Sequence, residues 1–193
     1  MIRRAGPDDV EPLARVLARA FEDDPVMSWL FPAPPTRVRR NEVFFRLRAR
    51  DLMDQEEVWT TDDHAGGALW TLPGRWRTTP RELLAWLPSM GRNLGRRMPL
   101  ALLGLAKIEQ LHPPDPHMYL AVLGTAPDRR GEGLGGALMA PVLEECDRDG
   151  IPAYLESTKE RNIDFYSRFG FRVTGELDLP RGPRVWPMWR EPR

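Results

Sequence analysis

The stretch from Tyr119 to Gly136 constrains the fold more than any other part of this chain. It opens with an apolar, β-prone run, Tyr119 to Leu123, which is typical of a strand buried on both faces. Glycines follow at positions 131, 133, 135 and 136, where a helical pattern begins. Unpaired N–H groups at a helix N-terminus attract anions, and glycines let a phosphate approach the backbone. The stretch therefore predicts an anion site that suits a phosphate-bearing ligand.

Known phosphate-binding loops differ in where their glycines fall. A Walker loop is excluded, because no Gly-Lys-Ser/Thr sequence follows these glycines. A dinucleotide fingerprint is present at Gly131, Gly133 and Gly136, and Glu156 lies at a suitable distance for a ribose contact. In that fold the first glycine directly follows its strand, whereas several residues intervene here. The dinucleotide interpretation is therefore the weaker one.

The pattern R-x-x-G-x-G at Arg130, Gly133 and Gly135 resembles the acetyl-coenzyme A (acetyl-CoA) loop of the GNAT superfamily of N-acetyltransferases. A second motif, Arg161-Asn162-Ile163-Asp164-Phe165-Tyr166, resembles the asparagine–tyrosine helix of the same family. Within the family, the chain from Val58 onward is most similar to the puromycin N-acetyltransferase-like branch, with residues 76–116 excepted. The resemblance implies an acetyl-CoA-dependent enzyme.

The order of the predicted elements agrees with this resemblance. Hydrophobic periodicity predicts strands at 2–5, 58–61, 68–72, 119–123, 153–156, 171–179 and 184–190, and helices at 10–21, 36–54, 78–87, 99–110, 134–149 and 161–168. The resemblance implies an α/β fold, with a GNAT-like mixed, mostly antiparallel central sheet of about seven strands flanked by helices. A splayed strand pair is expected at the cofactor site. Residues 1–193 are expected to form a single GNAT domain.

Three local features of the sequence predict how individual elements are exposed. Pro187 should place the last strand at an edge of the sheet or on a bulge. The helix at 99–110 is nearly apolar all round and is therefore expected to be buried. The arginines of the second long helix are interpreted as a solvated face, because no aromatic residues interleave as in a nucleic-acid surface. These are arginines 37, 39, 40, 46, 48 and 50.

Composition limits the partners and the compartment. The chain has 28 basic and 28 acidic residues, so no global field recruits nucleic acid or an anionic membrane. Its single cysteine, Cys146, cannot form an internal disulfide and suits a reducing compartment. No apolar run is long enough for a membrane span. We expect a cytoplasmic protein without a metal site, and leave a homodimer open.

The resemblance also implies where acetyl-CoA binds. Two central strands should splay after Gly124, so that the pantetheine arm pairs with backbone groups near Leu123 and Thr125. The pyrophosphate should lie on the N–H groups of residues 130–135. The predicted cofactor-binding residues are Leu123, Gly124, Thr125, Arg130, Gly131, Gly133, Leu134, Gly135, Asn162 and Tyr166.

Three residues are predicted to carry the chemistry. The N–H of Leu123 would stabilise the oxyanion, and Tyr166 would protonate the leaving thiolate. Glu156, at the end of a predicted strand, is the first choice for the base that deprotonates the amine. A purely structural carboxylate is an equal alternative at that position. Rival bases, acting directly or through water, are His112, His117 and Glu109.

The leading functional hypothesis is acetylation of a primary amine on a small molecule by direct attack. Residues 76–116 are expected to wall the acceptor site, where Trp76, Trp86, Met90 and Met98 would suit an apolar acceptor. Plain core packing is an alternative role for these four residues. Other hypotheses are a peptide or protein N-acetyltransferase, a non-catalytic acyl-CoA-binding module, and a dinucleotide-binding oxidoreductase.

Overall fold

A computed structural model describes residues 1–53 and 57–193, in which eight strands form one sheet. The strands are β1 (Ile2–Arg4), β2 (Val58–Thr61), β3 (Gly66–Thr71), β4 (Met118–Thr125), β5 (Ala153–Ser157), β6 (Arg172–Val173), β7 (Leu177–Asp178) and β8 (Arg184–Arg190). Their order is β1-β2-β3-β4-β5-β8-β6, and β7 also pairs with β8. Among the pairs described, β4 and β5 run parallel and the others antiparallel. The predicted α/β fold with a mostly antiparallel sheet is confirmed.

Seven helices flank this sheet in the described part of the chain. They are α1 (Val10–Ala20), α2 (Pro25–Leu30), α3 (Pro34–Met53), α4 (Pro80–Leu94), α5 (Met98–Leu111), α6 (Leu134–Asp149) and α7 (Ile163–Ser167). The predicted end of α3, Asp54, lies outside the described residues. The Asp24 side chain accepts bonds from the first turn of α2, so Asp-Pro begins a helix here. Helix α4 starts at a Thr79–Glu82 capping box and runs past the predicted end at residue 87.

Two apolar cores lie against the sheet. One is formed with α1 and α3, and it includes the fully buried Leu13, Leu17 and Phe45. The other is formed with α6, whose Leu138 and Val142 have no exposed surface. Burial of a large apolar side chain contributes about 1.5–3 kcal/mol, so the two cores hold the central strands firmly. Because apolar cores cover both faces of β4, the sequence of this strand lacks a clear polar face.

The parallel pair of β4 and β5 separates early. Met118 lies opposite Ala153 and Tyr119 opposite Tyr154, and no further pairs join these strands. Beyond this point β4 remains paired with β3, and β5 remains paired with β8. A gap between β4 and β5 therefore opens after Tyr119. The predicted splay after Gly124 is correct in kind but wrong in position.

A β-bulge explains the early separation. Leu69 lies opposite Val122, whereas Trp70 lies opposite Leu120, so Ala121 is an extra residue in β4. Such a bulge bends the strand and increases its twist, which directs the end of β4 away from β5. The bulge depends on pairing with β3, and nothing in the local sequence of β4 indicates it.

The inserted segment departs from one sequence prediction. Helices α4 and α5 lie between β3 and β4 in the chain, as expected, but α5 is not buried. Leu102 is 38% and Leu103 59% exposed, because α5 packs along one side only. On that side Gly104 lies so close to Trp29 that an added Cβ would be 2.7 Å from the ring.

The C-terminal hairpin differs from the prediction in two ways. The expected strand at 171–179 is interrupted, so that β6 and β7 have two residues each. Strand β8 is not an edge strand, because it pairs with β5 on one side and with β6 and β7 on the other. Pro187 lies between the positions that pair with β6 and β7, where its missing N–H interrupts neither short ladder. Its carbonyl still accepts a bond from the Thr174 N–H at 2.9 Å.

Candidate active site

The gap between β4 and β5 opens into a cleft of about 680 Å³, which we call the donor cleft. Its lining includes all ten residues predicted to bind acetyl-CoA, from Leu123 on β4 to Tyr166 on α7. These residues come from β4, the glycine-rich loop, α6 and the segment around α7. The fold therefore brings together side chains that are more than 40 positions apart in the chain.

The glycine-rich loop has the backbone geometry of an anion site. Gly131 and Gly133 have φ values of +89° and +78°, the left-handed region that favours glycine. A Cβ added at either position would meet no protein atom within 4 Å, so the loop faces open space. Gly133 is also the N-cap of the 16-residue helix α6, whose first N–H groups have no helical partner. The dipole of α6 and the unpaired N–H groups of its first turn both favour the binding of a phosphate at this loop.

The next two glycines also have a packing role. A Cβ at Gly135 would lie 3.1 Å from the Phe165 ring, and one at Gly136 would lie 2.6 Å from the Phe169 ring. These glycines thus let the start of α6 approach the aromatic side chains of the α7 segment. Gly136 does not line the donor cleft. The third glycine of the apparent dinucleotide fingerprint is therefore explained by packing.

Basic side chains surround the donor cleft. Lys159 and Arg161 bond to the Asp23 carboxylate at 2.7 and 3.0 Å. Asp23 precedes α2, whereas both cations follow β5, so this cluster joins two distant segments beside the cleft. Several cations at one cleft suit a ligand with several phosphate charges. The cations that line the cleft are Arg129, Arg130, Lys159, Arg161 and Arg168.

The backbone of β4 presents free donors to the cleft. The N–H of Ala126 donates to the carbonyl of Ala65, the residue directly before β3, at 2.8 Å. Alternate N–H groups along a strand point the same way, so the N–H groups of Leu123 and Thr125 point away from β3. On that side β5 is no longer paired with β4. The predicted oxyanion donor, the Leu123 N–H, is therefore aimed into the cleft.

A second cavity of about 250 Å³ lies next to the donor cleft, and we call it the acceptor chamber. Its walls are mainly apolar and come from α2, α3, α4, α5 and β4. All four predicted wall residues, Trp76, Trp86, Met90 and Met98, line it. Both cavities border the same small set of residues where β4 and β5 diverge. The shared residues are Phe21, Asp24, Ala121, Val122, Glu156 and Thr158.

Glu156 lies at this junction. Its side chain is 7% exposed, and its Oε1 makes no hydrogen bond within the described part of the chain. Burial raises the pKa of this carboxyl to about 7, and the nearby Tyr119 and Tyr154 hydroxyls oppose the rise. A carboxyl that titrates near neutral pH can exchange protons under ordinary conditions.

Two histidines extend from Glu156. The His112 Nε2 lies 3.4 Å from Glu156 Oε1, and the His112 Nδ1 lies 3.2 Å from the His117 Nε2. The His117 Nδ1 lies 2.7 Å from the Asp115 carbonyl oxygen, which can only accept, so this nitrogen carries a proton. In neutral rings the His112 Nδ1 then donates to His117, which leaves the His112 Nε2 as an acceptor toward Glu156. A protonated Glu156, whose Oε1 lies 3.4 Å away, can donate to that acceptor after a small adjustment.

His112 is held as a neutral ring. Trp76 stacks on it with centroids 3.7 Å apart and an angle of 8° between the planes. Burial lowers the pKa of His112 to about 3, and the charges of His117 and Arg77 act in the same direction. The pKa of His117 is also lowered by burial. Of the rival bases, His112 and His117 therefore form one network with Glu156, whereas Glu109 lines the chamber apart from it.

Tyr166 occupies the donor side of the junction. It is buried, and burial together with the charge of Asp24 holds the pKa of its hydroxyl well above the usual range. Asp24 accepts hydrogen bonds from the Val26 and Met27 N–H groups and from the Thr158 hydroxyl. In the sequence analysis the first helix ends at residue 21, and Asp24 is not placed at the site. The Asp-Pro pair that caps α2 was the available signal.

Arg48 was also missed, because the arginines of α3 were interpreted as a solvated face. That interpretation is wrong for most of them. Arg37 and Arg40 donate to main-chain carbonyls, and Arg46 pairs with the Glu11 carboxylate. Arg48 lines the acceptor chamber, with its guanidinium carbon 5.7 Å from the centroid of the Trp86 ring.

Among residues 1–53 and 57–193, no three His, Cys, Asp or Glu side chains are placed to hold a metal ion together. Within the same residues, no helix combines the length and the apolar character that crossing a membrane requires.

Comparison with known proteins identifies relatives along the chain. The model of the Acetyltransferase (GNAT) family matches residues 50–171. An uncharacterized N-acetyltransferase from Schizosaccharomyces pombe is 29% identical over 211 residues, covering 98% of this chain and 83% of that protein.

Solved structures resemble the whole chain in fold. The structure described as histone acetyltransferase HPA2 and related acetyltransferase from Corynebacterium glutamicum has a TM-score of 0.71 and 24% identity, covering 100% of this chain and 96% of its own. Arylalkylamine N-acetyltransferase 2 from Aedes aegypti has a TM-score of 0.63 and 15% identity, covering 100% of this chain and 99% of its own. At these identities the likeness concerns the fold alone.

Proposed function

The chain belongs to the GNAT family of acetyltransferases, whose co-substrate is acetyl-CoA, and we propose that it acetylates a primary amine on a small apolar molecule. The observation that carries this proposal is the junction of two cavities at Glu156. The donor cleft has the loop and cations for a phosphate-bearing cofactor, and the acceptor chamber has apolar walls. A thioester and an amine that enter from the two sides would meet at this carboxylate.

The acceptor chamber supports a small molecule rather than a peptide. Its volume of about 250 Å³ lies just below the usual range for ligand pockets, so it has room for one small molecule only. Trp76 and Trp86 on its walls favour an apolar or aromatic body, which agrees with the resemblance to the puromycin N-acetyltransferase-like branch. A peptide acceptor would instead need backbone partners along an extended groove.

Glu156 would act as the general base. An amine arrives largely as an ammonium ion and must lose a proton before its nitrogen attacks. Glu156, with a pKa of about 7, is partly ionised at neutral pH and is a suitable proton acceptor. The His112 Nε2, 3.4 Å away, would share the proton that Glu156 takes up. His112 and His117 act here as positioning residues for that carboxyl.

The donor side would supply the oxyanion donor and the acid. As the C–N bond forms, the Leu123 N–H would stabilise the negative charge on the thioester oxygen, and loss of one such donor costs about 3 kcal/mol. The C–S bond then breaks, the Tyr166 hydroxyl would pass its proton to the departing sulfur, and the resulting phenolate would take up the second proton that the nitrogen must lose to become an amide. The raised pKa of Tyr166 keeps this hydroxyl protonated at neutral pH.

We further propose that residues 1–193 form one GNAT domain with its site at the centre. Elements from both ends of the chain, β1 and β8, belong to the same sheet. Asp24 from the N-terminal part and Thr158 from the C-terminal part are hydrogen-bonded at the junction of the cavities. The site would therefore require the full chain.

Coenzyme A release tests the proposal. The wild-type protein is mixed with acetyl-CoA and either a panel of aromatic and aliphatic primary amines or short peptides with free N-termini, and free thiol is measured. We expect thiol release with small amines and little with peptides. Preference for peptides would overturn the acceptor assignment. Calorimetric binding of acetyl-CoA without turnover of any acceptor would instead support a binding module.

A further inference from the structure

Arg48 places a positive charge in the apolar acceptor chamber. It comes from α3, and its guanidinium lies near Trp86 on α4. Burial raises the pKa of Tyr119 well above the usual range, and the charge of Arg48 acts against this rise. The guanidinium is therefore within electrostatic reach of Tyr119, whose hydroxyl lies near Glu156.

This guanidinium has no oxygen partner among the described residues, unlike other partly buried arginines of α3. Arg37 and Arg40 bond to carbonyl oxygens at 2.8 and 2.7 Å. Arg46 bonds to the Glu11 carboxylate at 2.8 Å. The hydrogen bonds that these three arginines donate to other residues fix α3 against its neighbours. Arg48 contributes no such bond, so its charge is available to a molecule in the chamber.

A guanidinium presents several N–H donors in one plane and matches a carboxylate in two-pronged geometry. The acidic residues that line the chamber come from three different places in the fold: Asp24 directly before α2, Glu109 on α5 and Glu156 on β5. This distribution is complementary to a molecule with an ammonium group and a separate anionic group. A group that binds Arg48 would also compensate the cost of a cation in an apolar wall.

We propose that the acceptor is an apolar amino acid or a related amine that carries a carboxylate, and that Arg48 binds this carboxylate. The inference rests on the proposed function, because it assigns a substrate class to the same site. It names Arg48 as a specificity-determining residue. The amine would face Glu156, and the apolar body would lie between the tryptophans of the chamber.

Pairs of amines that differ by one carboxylate test this inference. Tryptophan with tryptamine and phenylalanine with phenethylamine place the carboxylate beside the amine. 4-(Aminomethyl)benzoate with benzylamine places it across the ring. The wild-type protein should prefer the carboxylate member of at least one pair by about 10-fold or more in kcat/KM, as a charged hydrogen bond allows.

Three variants accompany these substrates. R48Q should lower kcat/KM for the preferred carboxylate amine by about 10- to 100-fold and change that for its partner by less than about 2-fold. R48K keeps the charge but loses the two-pronged geometry, so it should retain part of the preference. R39Q changes an exposed arginine of the same helix and should behave as the wild type. Thermal unfolding checks that R48Q remains folded.

The inference is overturned if no pair shows a carboxylate preference, or if R48Q lowers both members of a pair equally. Turnover of the plain amines alone would overturn it and leave the proposed function intact. Calorimetric titration of the same pairs into coenzyme A-loaded protein gives a second readout that does not require turnover. Loss of carboxylate-dependent binding in R48Q supports the inference even if no amine is acetylated, whereas equal binding of both members overturns it.

Discussion

Replacing Glu156 by glutamine should stabilise the folded protein above neutral pH while removing most of its activity. Glutamine keeps the shape of the side chain and can donate to the His112 Nε2, but it cannot ionise. In the wild type, burial raises the pKa of Glu156 from the ordinary 4.5 to about 7. Folding therefore opposes the ionisation of this carboxyl, and that opposition reduces stability.

The sign and size follow from proton binding. Below about pH 4.5 Glu156 is protonated in both the folded and the unfolded chain, so it has no effect on stability. Between about pH 4.5 and 7 the unfolded chain loses this proton while the folded chain keeps it, so stability falls as pH rises. Above about pH 7 the free energy of unfolding of the wild type stays about 3 kcal/mol lower than it would be without this shift of the pKa. Between pH 5 and pH 8, the difference in free energy of unfolding between E156Q and the wild type should therefore grow by about 2–3 kcal/mol in favour of E156Q. This corresponds to about 5–10 °C in Tm.

Urea unfolding of the wild type and E156Q at pH 5, 6, 7 and 8 measures this difference. His112, whose pKa is lowered to about 3, is present in both proteins and cancels in the comparison. E144Q removes an exposed carboxylate from α6 and serves as the control with no such pH-dependent gain. In parallel, kcat/KM of the wild type should fall below about pH 7, and E156Q should lose about 10²- to 10⁴-fold in activity.

A destabilised E156Q at every pH would refute this reasoning, because it would mean that the carboxylate mainly orders its surroundings. Stabilisation at pH 8 without loss of activity would also count against the assignment. In that case the carboxyl would be buried as described but would not take the proton from the amine. The two measurements thus separate a strained catalytic group from a structural one.

Three further changes test other parts of the site. Tyr166→Phe keeps the ring and its packing, so kcat should fall by about 10²- to 10⁴-fold while calorimetric acetyl-CoA affinity stays unchanged; near-normal kcat would make Tyr166 a packing residue. Gly133→Asp should abolish coenzyme A binding through charge and bulk, whereas Gly133→Ala has the same unfavourable φ of +78° without the charge, so it should cost about 1–2 kcal/mol in stability and weaken binding less than Gly133→Asp does. Trp86→Phe should change relative kcat/KM among amines by about 10-fold or more and leave acetyl-CoA affinity constant; an equal loss of both would indicate packing.

The elements that could be predicted from the sequence are those whose signals are local. Helix α6 begins and ends where the glycine-rich loop and Gly150 indicate, because left-handed glycines precede and follow it. Strand β8 coincides with the predicted residues 184–190. The strands that flank β8 could not be predicted. Whether Pro187 lies in an edge strand depends on which strands pair with β8 on either side. The bulge at Ala121 is a pairing property of the same kind.

The candidate site was predictable where it follows a motif. The glycine loop, Asn162 and Tyr166 line one cleft, as the spacing of the two motifs implies. Arg48 gave no such signal, because it belongs to a helix whose orientation is set by packing. Asp24 gave only the local Asp-Pro signal, which marks the start of α2 but not its place at the site. The histidines were named as rivals of Glu156, but their linkage into one network depends on Trp76 stacking over His112. The contact between Trp76 and His112 joins the two ends of the inserted segment, residues 76–116. The sequence of neither end predicts it.

Two buried carboxyl groups at the junction of the cavities have different environments, and this difference indicates different roles. Asp24 is 2% exposed, and its oxygens accept bonds from two backbone N–H groups and from Thr158. Burial raises the pKa of Asp24, but these donors act against the rise and hold its oxygens in place. Glu156 has an oxygen without a hydrogen bond in the described chain, and it faces the neutral His112. A carboxyl tied by three donors suits the fixed positioning of α2 beside Tyr166, whereas one left free to gain and lose a proton near neutral pH suits a base.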